Sequence, residues 1–168
     1  MNEEIIRIRS FKPADRTAIL EILTSSKVNQ TYMLPDYKQK DDAIPLFLRL
    51  MGLSANSHRF VRCIELNGTA IGFLNDVEIK DGTIELGYAV HPAYHNRGYM
   101  TIALRLAIAE LFKCGYTEVV CGAFEENKAS LRVMKKCDMQ QMEYSDTIEY
   151  RGTRHRCIYF CATNRKEN

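Results

Sequence analysis

Hydrophobic and polar positions change their spacing several times along the chain, and each change predicts a new element. Apolar and basic residues alternate over residues 5–11, which predicts a half-buried first strand. Apolar residues then follow helical spacing at 18–23 and again at 43–51, with a polar loop at 29–40 between them. The first part of the chain is therefore predicted to be one strand followed by two helices.

Three consecutive strands are predicted next. Residues 60–66 and 70–77 have the composition of strands, and Asn67-Gly68 between them is a strong signal for a hairpin turn. Asp81-Gly82 predicts a second turn of this kind, which leads into a strand at 83–90. These strands should pair antiparallel.

Helices and strands alternate in the remainder of the chain. The complete order is β-α-α-β-β-β-α-β-α-β-β, which predicts an α/β (α+β) fold with a mixed, mostly antiparallel twisted sheet of about seven strands and helices on both faces. The elements predicted in this part are a helix at 98–114, a strand at 117–121, a helix at 127–137, and strands near 139–148 and 155–162.

Composition limits the classes of function. A chain of 168 residues with 46% hydrophobic and 26% charged residues is typical of a single globular domain, here 1–168. A net charge of +2 gives no reason to expect nucleic acid or a membrane surface as a partner. The N-terminus has no apolar signal-peptide core and no segment reaches membrane-spanning length, so we expect a cytoplasmic protein.

The six cysteines give no metal motif. None of them forms a C-x-x-C pair and no H-x-x-x-H pair is present, so we expect no bound metal. Most of the cysteines lie in apolar runs, which indicates reduced thiols that pack as small hydrophobic residues.

The segment from His95 to Thr101 carries the strongest chemical signal. It follows a strand and opens a helix, and Gly98 permits a turn that a side chain would penalise. The amides of Asn96 through Thr101 are then placed to bind a diphosphate, assisted by the positive end of the helix. A plain strand-to-helix turn with a solvated basic surface is the alternative.

A second segment, Asn127 to Ser130, begins the helix after the next strand. Asn127 is a good N-cap, and Ser130 follows one turn later. Both are expected at the carboxyl edge of the sheet, where open α/β sheets bind ligands. An ordinary cap and an exposed helix serine are the alternatives.

Three motifs together resemble the GNAT N-acetyltransferase superfamily, most closely its RimJ/RimL-like branch of ribosomal-protein N-terminal acetyltransferases. The similarity extends over residues 5–162. The motifs are Ile-Glu-Leu-Gly-Tyr-Ala-Val-His-Pro at 84–92, Asn-Arg-Gly-Tyr-Met-Thr at 96–101, and Asn-Lys-Ala-Ser at 127–130 followed by Lys-Cys-Asp-Met at 136–139.

This resemblance implies direct acetyl transfer from acetyl-CoA to a primary amine. It makes Glu85 the candidate base, through water, and Ser130 the candidate donor of a proton to the departing sulfur. An exposed strand carboxylate and a helix-surface serine are the alternatives. The implied residues of the acetyl-CoA site are Ala89, Val90, His95, Asn96, Arg97, Gly98, Tyr99, Met100, Thr101, Asn127 and Ser130.

The phosphate loop departs from the pattern of the family, Gln/Arg-x-x-Gly-x-Gly/Ala. His95 stands at the first position, which is tolerable because backbone amides make the phosphate contacts. Met100 stands at the sixth, where its bulk would crowd the diphosphate unless the side chain turns away. Asp138 replaces a glycine after the following helix, and aspartate tolerates a left-handed cap better than most residues.

The acceptor and the assembly stay open at this stage. A protein N-terminus, a polyamine, an amino acid or an aminoglycoside-like drug would each fit, and the protein is expected to be a monomer or a homodimer. Tyr88, Tyr99 and Tyr144 are alternative proton donors, although packing is the favoured role of each. The family resemblance also places Tyr32, Tyr37, Asp41 and Asp42 near the acceptor.

Two other classes of function compete with the enzyme. A non-catalytic acyl-CoA-binding or sensor module of the same fold is the alternative that Met100 encourages. A nucleotide-binding Rossmann domain is disfavoured, because the turn lacks G-x-G-x-x-G and follows antiparallel strands.

Overall fold

Seven strands and five α-helices make up the computed structural model, which describes residues 3–165. Their order along the chain agrees with the predicted order, apart from one additional short helix. The elements are β1 (Ile6–Arg9), α1 (Arg16–Leu23), α2 (Ser26–Asn29), α3 (Ile44–Ser54), β2 (Val61–Leu66), β3 (Thr69–Lys80), β4 (Thr83–Val90), α4 (Tyr99–Lys113), β5 (Glu118–Phe124), α5 (Lys128–Lys136), β6 (Gln140–Tyr150) and β7 (Thr153–Thr163).

The strands form one sheet in the order β1-β2-β3-β4-β5-β7-β6. Strands β4 and β5 pair in parallel, whereas β1 with β2, β2 with β3, β5 with β7 and β6 with β7 pair antiparallel. The helix α4 connects the two parallel strands, as a crossover between parallel neighbours requires. The predicted mixed, mostly antiparallel sheet of seven strands is confirmed.

Several strands extend further than predicted, among them β5, which continues to Phe124. Strand β3 continues to Lys80, and β6 and β7 continue to a turn at Arg151 and Gly152, both of which have positive φ. These hairpin ends are mostly exposed, and those of β6 and β7 are mostly polar, so they carry less of the apolar signal on which the prediction depended. The additional helix α2 has four residues, and the hydroxyl of Ser25 caps it by accepting a hydrogen bond from the Val28 amide.

The described chain divides into two compact units, and the single domain expected from length stays a prediction. The first unit comprises residues 3–76 and 88–99. Its core combines residues of α1 and α3 with residues of β2 and β3, and in it the rings of Phe11 and Phe47 meet edge to face. Arg9 forms ion pairs with Asp15 and Glu65 in the same unit.

The second unit comprises residues 77–87 and 100–165. Its core includes Ile84 and Leu86 of β4, Leu104 and Leu111 of α4, and Met134 of α5, all of which are buried. Among the described residues, no helix is long and apolar enough to cross a membrane.

Candidate active site

Strand β4 places Glu85 on the face of the sheet opposite to the core of the second unit. Ile84 and Leu86 point into that core, so the alternation of a strand turns Glu85 to the other side. Glu85 lies opposite Val120 in the parallel pairing with β5. The Glu85 side chain is half-buried, which is unusual for an ordinary surface carboxylate.

A cleft of about 500 Å³ opens beside Glu85 in the second unit. Burial raises the pKa of Glu85 above its ordinary value, and the negative charges of Glu78 and Asp146 raise it further. A carboxylate with a raised pKa is a stronger base, so this environment favours acceptance of a proton. The residues that line the cleft are Glu78, Lys80, Asp81, Thr83, Glu85, Val120, Met142, Tyr144, Asp146 and Tyr159.

Asp146 lies in this cleft at the centre of a hydrogen-bonded group that the sequence reasoning missed. The Tyr159 hydroxyl donates to both carboxylate oxygens of Asp146, at 3.1 and 3.2 Å, and the Tyr144 hydroxyl donates to one of them at 3.3 Å. Burial raises the pKa of Tyr159, so its hydroxyl keeps its proton and remains a donor. Tyr144, an alternative proton donor in the sequence analysis, directs its hydroxyl to Asp146.

The absence of a side chain at Gly122 leaves space for the Tyr159 ring. Gly122 of β5 lies opposite Tyr159 of β7, and a Cβ at Gly122 would come within 2.7 Å of a Tyr159 ring carbon. The ring therefore occupies space that any other residue at position 122 would fill. Tyr144 and Asp146 of β6 both line the cleft, but the register of β6 with β7 shifts between Gln141 and Ser145, so alternation along the strand alone does not identify this group.

The end of β4 belongs to the first unit and approaches β3 closely. Ala89 and Val90 are both buried. A Cβ at Gly72 of β3 would lie 2.4 Å from the Ala89 carbonyl oxygen, which shows that the two strands meet here without room for a side chain.

The loop after β4 adopts the conformation predicted from its glycine. Gly98 has a φ of +79°, and Asn96, for which no such conformation was predicted, has a φ of +59°. Asn96, Arg97 and Gly98 are all exposed. The His95 ring donates from Nε2 to the Val90 carbonyl oxygen at 2.7 Å, which fastens the loop to the end of β4.

The three residues that open α4 are buried. The Tyr99 hydroxyl donates to Oε1 of Glu4 at 2.9 Å, and the Thr101 carbonyl accepts from Sγ of Cys137 at 3.5 Å. Met100 is only 8% exposed, so its side chain lies in the interior rather than over the exposed loop.

Helix α5 begins as predicted. The Asn127 side chain accepts a hydrogen bond from the Ser130 amide at 3.2 Å, which makes Asn127 the N-cap. Asp138 has a φ of +58°, which confirms the left-handed position after the helix. Ser130 is half-buried and is not one of the residues that line the Glu85 cleft.

Three of the residues considered for the acceptor in the first unit make contacts within the protein. Tyr32 is mostly buried and its hydroxyl donates to Asn75 at 2.7 Å, with burial raising its pKa to about 12. Tyr37 packs against the core, and the Asp42 carboxylate accepts from the Gln39 amide at 3.0 Å. Asp41 lies in the adjoining turn of 3₁₀ helix.

Two of the histidines contact glutamates, and most of the cysteines are buried. His91 contacts Glu21 through Nε2 at 2.9 Å, and His155 pairs with Glu126 and stacks on Phe124. All six cysteines are free thiols, and four of them are buried. Over residues 3–165, no group of three or more His, Cys, Asp and Glu side chains is placed to hold a metal ion.

Comparison with known proteins gives one match to a family. The family model described as an acetyltransferase (GNAT) domain matches residues 6–140, which is most of the chain. None of the curated proteins compared with the chain shows significant sequence similarity to it.

Solved structures share the fold at low sequence identity. An acetyltransferase of the GNAT family from Bacillus anthracis is 23% identical with a TM-score of 0.82, and 96% of each chain is covered. RimL, a ribosomal L7/L12 α-N-protein acetyltransferase solved with coenzyme A, is 16% identical with a TM-score of 0.83, covering 96% of this chain and 98% of RimL. Spermidine N-acetyltransferase from Vibrio cholerae, solved with CoA and spermine, is 13% identical with a TM-score of 0.79, covering 94% and 95%.

Proposed function

Because the chain belongs to the GNAT acetyltransferase family, we propose that it is an N-acetyltransferase that moves an acetyl group from acetyl-CoA directly to a primary amine. The acceptor is a protein N-terminal α-amine or a small-molecule amine. The observation that carries this proposal is the cleft around Glu85, in which burial and neighbouring carboxylates raise the pKa of a half-buried carboxylate.

The proposed reaction needs one base and one acid. The amine nitrogen bonds to the thioester carbonyl carbon, the carbon–sulfur bond breaks, and the nitrogen's proton passes to Glu85 through water. The departing thiolate receives the proton of the Ser130 hydroxyl while Ser130 takes a proton from water, so the serine ends the step neutral. An α-amine has a pKa of about 8 and a lysine amine about 10.4, so the amine of a chain terminus loses its proton to Glu85 more readily than a lysine amine does. The leaving thiol is like cysteine, with a pKa of about 8.5, so a strong acid is unnecessary.

The loop residues fit the diphosphate of acetyl-CoA. Asn96 through Gly98 are exposed, a Cβ at Gly98 would meet nothing within 4 Å, and the 15-residue helix α4 begins immediately afterwards. We assign phosphate binding to the amides from His95 to Thr101, in which the positive end of the helix assists. The backbone of Ala89 and Val90 would hold the pantetheine arm, and Asn127 would fix the helix that carries Ser130.

Burial of Met100 removes the reason for favouring a non-catalytic acyl-CoA-binding module. That alternative was encouraged by a side chain that would crowd the diphosphate, and the Met100 side chain lies in the interior. The RimJ/RimL-like assignment is supported by the similarity of fold to RimL.

Thiol release from acetyl-CoA, measured across a panel of amines and N-terminal peptides, tests the proposal. We expect turnover with at least one acceptor, and we expect Glu85→Gln to lower kcat/KM by about 10²- to 10⁴-fold, the usual contribution of a general base. Ser130→Ala should lower kcat by a larger factor than it raises the dissociation constant of acetyl-CoA. Glu149→Gln, the same change at an exposed carboxylate of β6, is the control.

Two outcomes would overturn parts of this proposal. Tight binding of coenzyme A without turnover on any acceptor would establish the binding module instead of the enzyme. Turnover that Glu85→Gln leaves at the level of Glu149→Gln would remove Glu85 from the reaction, with the transferase activity itself intact.

A further inference from the structure

The wall of the Glu85 cleft holds Asp146 in a fixed orientation. Two tyrosine hydroxyls donate to its carboxylate, at 3.1 and 3.2 Å from Tyr159 and at 3.3 Å from Tyr144. The position of Tyr159 is itself fixed, because its ring lies against Gly122, where a Cβ would come within 2.7 Å. A carboxylate that is oriented in advance binds a ligand at a lower cost in side-chain entropy.

The charges of the cleft are not balanced by the protein. Four carboxylates line it, those of Glu78, Asp81, Glu85 and Asp146, against the single cation of Lys80. Within the part of the chain that the structure describes, Glu78, Glu85 and Asp146 form no ion pair. One reacting ammonium group would neutralise only part of this charge.

An aromatic surface adjoins the carboxylate. The rings of Tyr144 and Tyr159 lie 5.2 Å apart, and Tyr144 is 57% exposed. An exposed tyrosine ring beside a carboxylate attracts a cation through both the charge and the ring quadrupole. The wall of the cleft therefore offers a cation a place separate from Glu85.

We propose that Asp146 is the specificity-determining residue for the acceptor, and that it favours a primary amine that carries a second positive charge. In this assignment Glu85 meets the nitrogen that is acetylated, while Asp146 and the Tyr144 ring bind the second ammonium group. The inference rests on the proposed acetyltransferase function and names the class of its acceptor as a diamine.

A matched pair of amines tests this assignment. The acceptors are 1,4-diaminobutane and butylamine, which have the same carbon chain and differ by one amine, and acetyl-CoA-dependent thiol release is measured at pH 8, where the second amine is protonated. A charged hydrogen bond predicts that kcat/KM for the diamine exceeds that for the monoamine by about 10-fold or more. In Asp146→Asn this ratio should fall towards one, mainly through the KM of the diamine. Because the two kcat/KM values in the ratio come from the same variant, a general loss of activity in that variant leaves the ratio unchanged.

Further variants keep the test decisive. Asp146→Glu retains the charge and should restore part of the preference. Tyr144→Ala removes an exposed ring without disturbing the core, so it tests the same cation site if Asp146→Asn does not fold, and it should lower the ratio as well. Glu149→Gln, an exposed carboxylate of the same strand, should leave the ratio unchanged.

The outcomes separate this inference from the proposed function. Equal use of both amines by the unmodified protein, or a preference that survives in Asp146→Asn and Tyr144→Ala, would overturn the role of Asp146 while acetyl transfer stands. Absence of turnover on every amine and peptide would overturn the proposed function itself.

Discussion

Replacing Gly72 by alanine tests the close approach of β3 to the end of β4. Ordinary van der Waals contact with a Cβ begins at about 3.4 Å, whereas the added atom would lie 2.4 Å from the Ala89 carbonyl oxygen and 3.2 Å from the Val90 Cα. The carbonyl would have to withdraw by about 1 Å. Because both neighbours are backbone atoms of a paired strand, no rotation of a side chain relieves the overlap.

The expected free energy follows from two opposing effects. Overpacking of an interior site costs about 1–3 kcal/mol. Alanine restricts the unfolded chain more than glycine does, which raises the free energy of unfolding by about 0.5–1 kcal/mol. We therefore expect Gly72→Ala to lower the free energy of unfolding by up to about 2.5 kcal/mol. It should also weaken binding of acetyl-CoA, because Ala89 and Val90 belong to the proposed cofactor site.

Urea unfolding followed by circular dichroism measures this difference. Gly52→Ala is the control, since Gly52 lies in α3 and an added Cβ there meets nothing within 4 Å. That variant should gain about 0.5–1 kcal/mol, as alanine does in a helix interior. If Gly72→Ala unfolds at the same urea concentration as Gly52→Ala, or at a higher one, the close approach imposes no requirement for glycine and the reasoning is refuted.

Three further predictions concern stability. Because the pKa of Glu85 is raised in the folded state, the folded protein loses stability as pH rises from about 4.5 through that pKa. The melting temperature of Glu85→Gln should therefore exceed that of the unmodified protein at pH 7 and equal it at pH 4. Asp15→Ala removes one of the two ion pairs of Arg9, which keeps Glu65, and we expect a loss of about 1.5–3 kcal/mol in urea unfolding. Gly122→Ala should displace the Tyr159 ring, lowering the free energy of unfolding by about 1–3 kcal/mol and changing the near-ultraviolet circular dichroism of the tyrosines.

Each of these predictions has a result that contradicts it. A Glu85→Gln protein that melts at or below the unmodified protein at pH 7 would show that the cleft does not disfavour the charged carboxylate. For Asp15, the matching control is Glu149→Ala at an exposed position, and equal stability of the two variants would show that the ion pair contributes nothing. An unchanged tyrosine spectrum in Gly122→Ala would mean that the ring does not depend on the glycine.

Much of the fold and part of the site are local properties that the sequence determines by itself. The spacing of apolar residues predicted the order of strands and helices, because the repeat of apolar residues differs between a strand and a helix and is present within each segment. Gly98 and Asp138 indicated residues with a left-handed backbone conformation, and Asn127 indicated a helix N-cap. Each of these features depends only on neighbours within one turn.

Tertiary structure decided what surrounds the candidate base. Glu85 could be selected from its strand, yet its raised pKa depends on burial and on Asp146, which comes from β6 through the register of β5, β7 and β6. The direction of the Met100 side chain was likewise undecided until the packing was known. A strand's sequence fixes which residues share a face, but only the pairing of distant strands determines which charges meet across that face, and the chemistry of the cleft depends on those charges.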